Sequence, residues 1–182
     1  MSYHRDDLVT RACIFAIRVH FGQVRRNKAQ RPVIDHAAEV ARLVRESGGN
    51  DLEVAAGWLH DTVEDTPTTV ADIILRFGEA IGNMVDGLTD PEEFNRLPVL
   101  IRKMRQAERI KIKSDNVKRV KVADQISNIR DVAIDPPVKW TELKCVDYIT
   151  GANIIAISCR GVSQYLDEMF EEEYEKALAP YM

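Results

Sequence analysis

The 182-residue chain can bury a substantial core in one domain, and its 45% apolar and 30% charged residues are those of an ordinary globular protein. A formal net charge of −4 excludes a global basic footprint, so nucleic acid is not an expected partner and an anionic ligand would need a local basic patch. The start is polar, the most apolar later run (Ile154-Ile155-Ala156-Ile157) is too short to span a bilayer, and Cys13, Cys145 and Cys159 lack CxxC spacing; a cytoplasmic protein with free thiols and no membrane contact is expected.

Apolar residues recur at helical spacing along most of the chain, and strand-like alternation is hard to find. A first helix is predicted over about 6–21, burying Leu8, Cys13, Phe15, Ala16 and Val19. The basic segment 22–32 reads as a loop. A second helix covers about 34–46 and stops at Gly48-Gly49. A third begins with Asp51 as its N-cap, carries His60-Asp61 at its end and is broken by Pro67. Thr69 and Asp72 form a capping box for a fourth helix closed by Gly78, and a fifth spans about 79–88. After a turn-rich connection over 89–98, a basic helix runs over about 99–113. Asn116 caps a helix over about 117–132, which Pro136-Pro137 terminates. Thr141 opens another to about 159, and an acidic amphipathic helix continues to about 178. No repeat or linker interrupts the chain, so one all-α domain is expected over 1–182.

The segment His60-Asp61-Thr62-Val63-Glu64-Asp65 follows an apolar helical run and concentrates groups that bind metals or move protons. Residues four apart share a helix face, so His60 with Glu64 and Asp61 with Asp65 crowd one side. Unpaired carboxylates are costly to bury, and a cation is the usual remedy. His36 and Asp124 complete a mixed N/O donor set with His60 and Asp61, suited to Mn, Fe or Zn. Such an ion would acidify a water, and Glu64 and Asp65 would orient it or shuttle protons. The loop Arg25-Arg26-Asn27-Lys28 with Arg31 leads into His36 and offers guanidinium groups to phosphates. Lys121, Asp124, Asn128 and Asp131 line one stripe, with Asn128 and Asp131 able to bond a ribose or base edge. Most of Arg102, Lys103, Arg105, Arg109, Lys111 and Lys113 read as a solvated face, with one or two near the substrate.

His20-Phe21-Gly22-Gln23-Val24-Arg25-Arg26 resembles the HxGQxR(K/R) signature of RelA/SpoT-type alarmone hydrolases. Leu59-His60-Asp61-Thr62-Val63-Glu64-Asp65-Thr66 resembles their LHDxVEDT signature, and Val120-Lys121-Val122-Ala123-Asp124-Gln125-Ile126-Ser127-Asn128-Ile129-Arg130-Asp131 follows in the expected order. Without a synthetase or regulatory region, the chain is similar to stand-alone small hydrolases of the animal branch. The resemblance implies an all-α HD-type fold and one Mn(II) ion held by His36, His60, Asp61 and Asp124. It implies hydrolysis of the 3′-pyrophosphate of ppGpp or pppGpp, with Glu64 and Asp65 as the catalytic acidic pair. Arg25, Arg26 and Asn27, together with Lys121, Asn128, Asp131 and Tyr148, are the substrate-side residues on this reading, and His20 is structural. The family usually carries tyrosine where this chain has Val33. Phosphatase action on another nucleotide such as NADPH, or a non-catalytic alarmone-binding module, remain alternatives. Homo-oligomerisation and functional pairing with an alarmone synthetase are left open.

Overall fold

The computed structural model describes residues 7–182; the predicted first-helix start at Asp6 lies outside the described residues. Helix α1 (Leu8–Val19) begins at Asp7, whose carboxylate accepts the Thr10 amide at 2.8 Å. Its fully buried positions are Ala12 and Ala16, whereas Leu8, Cys13, Phe15 and Val19 are only half-buried. The small residues let α1 approach the next layer closely, which leaves the larger side chains at the margin. Phe15 there meets Phe77 edge-to-face at 5.5 Å.

Helix α2 (Val33–Glu46) starts directly after Pro32, whose ring removes an amide that would otherwise be unpaired. Helix α3 (Asp51–Leu59) is capped by Asn50, one residue before the expected Asp51. The Asn50 side chain accepts the Leu52 and Glu53 amides while Glu53 accepts the Asn50 amide, a reciprocal box that Asp51 cannot form from inside the helix. Helix α3 stops at Leu59 and the chain resumes as α4 (Thr62–Asp65), so the expected continuous helix is broken at His60-Asp61. The Thr62 hydroxyl donates to the Leu59 carbonyl at 2.7 Å and competes with the helical ladder. The bond from the Asp65 amide to the Asp61 carbonyl, 3.0 Å, preserves the local register.

Thr69 and Asp72 cap α5 (Val70–Phe77), and Gly78 closes it at φ 91°, in the left-handed region. Helix α6 (Glu79–Leu88) follows at once. After a 3-10 turn come α7 (Val99–Lys111), α8 (Asp115–Ile134), α9 (Glu142–Cys159) and α10 (Gln164–Leu178). Ser114, not Asn116, is the α8 cap position; Asn116 lies inside the first turn and accepts the Ser114 hydroxyl. Two isolated bridges, Val24 with Pro32 and Asn27 with Pro137, hold the basic loop, and no strand occurs among the described residues.

Helix α8 is the central element, with Val120, Val122, Ala123, Ile126 and Ile129 buried among α2, α3, α6, α9 and α10. Helices α7 and α9 pack extensively against each other. A smaller apolar cluster (Ala12, Ala55, Leu59, Ile73, Ile81, Val85) lies beneath α1, α3, α5 and α6. Trp58 touches both clusters, and the next turn of chain presents His60 and Asp61 to α8.

Candidate metal centre and adjoining cavities

Helix α2 supplies His36, the α3–α4 break supplies His60 and Asp61, and α8 supplies Asp124. One ligand atom each from His36, His60 and Asp124 falls within 4.8 Å of the others. Asp61 Oδ2 joins from the rim, 3.1 Å from His60 Nε2 and 3.6 Å from His36 Nε2. Both imidazoles have their outer nitrogens engaged. His60 Nδ1 donates to the Gly57 carbonyl at 2.9 Å. His36 Nδ1 donates to Ser127 Oγ at 2.8 Å, because the Ser127 hydroxyl is itself donating to Glu39 Oε2 at 2.7 Å. The two Nε2 atoms then face each other at 3.2 Å with their lone pairs inward. Such an arrangement repels itself unless a positive charge lies between, and a divalent cation fits the donor set.

The titration behaviour agrees. Burial opposes charge on His60, but Asp61 and then Asp124 lift its pKa to about 9. Burial instead lowers His36, so without a cation the site takes up a proton on His60. Burial would raise both acids, yet His60 holds Asp61 below its ordinary value, and Lys121 with the imidazoles holds Asp124 well below. Asp124 is tied on both oxygens. Oδ1 accepts the Asn128 amide, while Oδ2 accepts Gln125 Nε2 at 2.7 Å and lies 3.1 Å from Lys121 Nζ.

Glu64 and Asp65 open onto this centre. Burial among the surrounding walls, then the charge of Asp61, raises Glu64 to about 7 and raises Asp65 in the same sense. Glu64 accepts the Asp90 amide at 2.6 Å. Gln23 donates to the Asp65 carbonyl at 2.9 Å, and His20 Nδ1 lies 2.7 Å from Gln23 Oε1. His20 thus braces α4 through Gln23.

Two cavities adjoin the centre. The larger, about 560 Å³, is lined by Arg25, Arg26, Asn27, Val33, Asp131 and Trp140 among others. The smaller, about 190 Å³, borders Asp61, Glu64, Asp124, Lys103 and Lys121. Asp65, Arg102, Asn128 and Tyr148 line both. Arg25 donates to Asn128 Oδ1 at 2.7 Å and pairs with Asp131 at 2.9 Å, and Arg31 also bonds Asp131. Lys28 and Arg31 line neither cavity. On α7, Arg102 and Lys103 reach the cavities, while Arg105 and Lys111 face out.

Sequence reasoning missed Glu39, Ser127, Gly57, Gln125 and Trp140. Glu39 is three residues after His36 and Ser127 three after Asp124, a helical spacing that could have marked them.

A mixed imidazole–carboxylate centre buried between helices of an all-α fold defines a class of metal-dependent enzymes. The HD domain family model matches residues 12–146, and the chain belongs to that family. It is similar to the mouse guanosine-3′,5′-bis(diphosphate) 3′-pyrophosphohydrolase MESH1, 36% identical over 91% of this chain and 92% of that protein. The human MESH1 protein is 35% identical over the same shares. The fold matches a solved structure described as a metazoan ortholog of SpoT that hydrolyzes ppGpp, with a TM-score of 0.86 at 24% identity, covering 96% of this chain and 98% of that one.

Proposed function

We propose that the protein hydrolyses the 3′-pyrophosphate of ppGpp and pppGpp, releasing GDP or GTP and pyrophosphate. The observation that carries this reading is the placement of Glu64 and Asp65, both with raised pKa, beside a His/Asp centre at the junction of two cavities. The names of the mouse and human relatives support the substrate.

His36, His60, Asp61 and Asp124 are the residues that would hold the cation, Mn(II) in this reading, with Fe or Zn as alternatives. When bound, the cation supplies Lewis-acid chemistry, offsetting phosphate charge and making water more acidic. Glu64 takes a proton from the attacking water, and Asp65 holds the water in line. The water oxygen bonds to phosphorus, the bond from phosphorus to O3′ breaks, and the proton that Glu64 accepted passes to O3′. Arg25 and Arg26 face the remaining phosphates, Asn27 with Asn128 and Asp131 the ribose and base, and Tyr148 with Trp140, 5.1 Å apart, wall the nucleoside. Lys121 keeps Asp124 ionised. The whole chain is read as one hydrolase unit acting in the cytoplasm, where an alarmone synthetase would supply its substrate. No helix among the described residues is long and apolar enough to cross a membrane.

The test is pyrophosphate release from ppGpp by the purified, manganese-loaded protein, with NADPH and related nucleotides assayed alongside. Release from ppGpp is expected. A folded, metal-loaded protein that leaves ppGpp intact, or that acts only on another nucleotide, contradicts the proposal.

A further inference from the structure

Lys103 is 3% exposed, yet no carboxylate lies within ion-pair distance of it among the described residues. Its amino group donates to Gln125 Oε1 at 2.6 Å and sits 3.9 Å from the centre of the Tyr148 ring; burial pushes its pKa down to about 7, and an anion beside it would restore the charge. Neither neighbour carries a charge, and a lysine has three donors, so the group is under-satisfied. Buried charges are ordinarily paired.

The position of the ammonium is imposed by packing. A Cβ at Gly151 would come within 2.5 Å of Lys103 Cβ and 2.6 Å of Cγ, so α9 can close on α7 only at a glycine. The Lys103 stem is therefore held between two helices, and its end lies among the lining of the smaller cavity. Lys121, across that cavity, is already paired with Asp124.

The two cavities differ in chemistry. The larger sets Arg25 and Arg26 beside apolar and aromatic walls, Val24, Val33, Pro137 and Trp140, suited to a nucleoside and its 5′-phosphates. The smaller borders the candidate ligands Asp61 and Asp124, with Glu64, Asp65 and Asp90, and sets Arg102, Lys103 and Lys121 among these acids; Lys103 makes no direct ion pair there among the described residues. The scissile bond must lie at the centre, so nucleoside and pyrophosphate fall on opposite sides of the shared residues. Resting on the hydrolase reading above, we propose that the smaller cavity is the compartment of the pyrophosphoryl group, released as pyrophosphate, and that Lys103 binds it.

Lys103→Met keeps the unbranched stem beside Gly151 and removes the charge, and Lys103→Gln also keeps a polar end. Calorimetry on manganese-loaded proteins, with manganese in excess, reads the binding of inorganic pyrophosphate and of GDP separately. Both variants are expected to bind pyrophosphate about tenfold or more weakly, to keep GDP affinity within about twofold, and to retain the cation. Unchanged pyrophosphate affinity in either variant overturns the proposal, as does a parent protein that binds no pyrophosphate. Loss of the cation would also overturn it, by making Lys103 a brace for Asp124 acting through Gln125. The readout does not require turnover. A parent that binds pyrophosphate through Lys103 yet leaves ppGpp intact would contradict the proposed reaction and leave this assignment standing.

Discussion

At the residue scale, the acid pair beside the imidazoles makes a sharp prediction. Glu64, raised to about 7 by burial and Asp61, is placed to accept a proton when ionised. As pH falls through its pKa the carboxylate is protonated and the base is lost, so activity should decline on the acid side. A bound cation favours the ionised form, so the limb should fall at or below about pH 7. Glu64→Gln should lower kcat by about 10²–10⁴-fold, abolish that limb and leave cation binding intact, as pH–rate profiles and metal analysis would show. A Gln variant with an undiminished acid limb would exclude Glu64 as its source. The candidate ligands were legible in sequence because His36, His60-Asp61 and Asp124 are chemically rare on apolar helices. The partners that orient the imidazoles were not. Ser127 and Glu39 meet only where α8 crosses α2, and that contact spans 88 residues of chain.

At the element scale, the α3–α4 break places the centre. Gly57 lies one turn before it, and its carbonyl orients His60. A Cβ at Gly57 would come within 3.0 Å of Ala41 Cα, backbone that cannot yield without moving α2. In an exposed helix Gly→Ala would stabilise by about 0.5–1 kcal/mol. Here overpacking should outweigh that gain: Gly57→Ala should lose about 1–3 kcal/mol in urea unfolding and weaken cation binding. A stabilised Gly57→Ala variant would contradict this account of the α2–α3 contact. Helix locations were readable from period and caps. The misplaced caps at Asp51 and Asn116 each lie within two residues of the true cap, since neighbouring Asn, Asp and Ser compete for the role. The break at Asp61 was not readable, because an apolar run followed by acidic residues is equally a longer helix.

At the scale of the whole molecule, α10 is tied to the centre. Arg130 on α8 donates to Glu39 at 2.7 Å and to Glu173 on α10 at 3.2 Å, and Glu39 in turn accepts the Ser127 hydroxyl behind His36. The acidic helix α10 thus contributes Glu173 to the fold. Burial would raise both acids, but Ser127 and Arg130 hold Glu39, and Arg130 holds Glu173, below the usual 4.5. Stability from a depressed carboxylate is present above its unfolded pKa and lost as pH falls through the folded one. Arg130→Met should therefore destabilise by about 1–3 kcal/mol at neutral pH, with the difference from the parent shrinking as pH falls below 4.5. Denaturant unfolding at several pH values checks it, and a pH-independent deficit would mean that lost packing dominates.

If cation binding and catalysis share one set of side chains, Asp61→Ala removes both at once. Metal content and pyrophosphate release from ppGpp should be measured on the same preparation, beside the parent. The parent should hold a divalent cation and turn over, while the folded variant should lose both. An Asp61→Ala protein that stays metal-loaded and active would contradict that sharing.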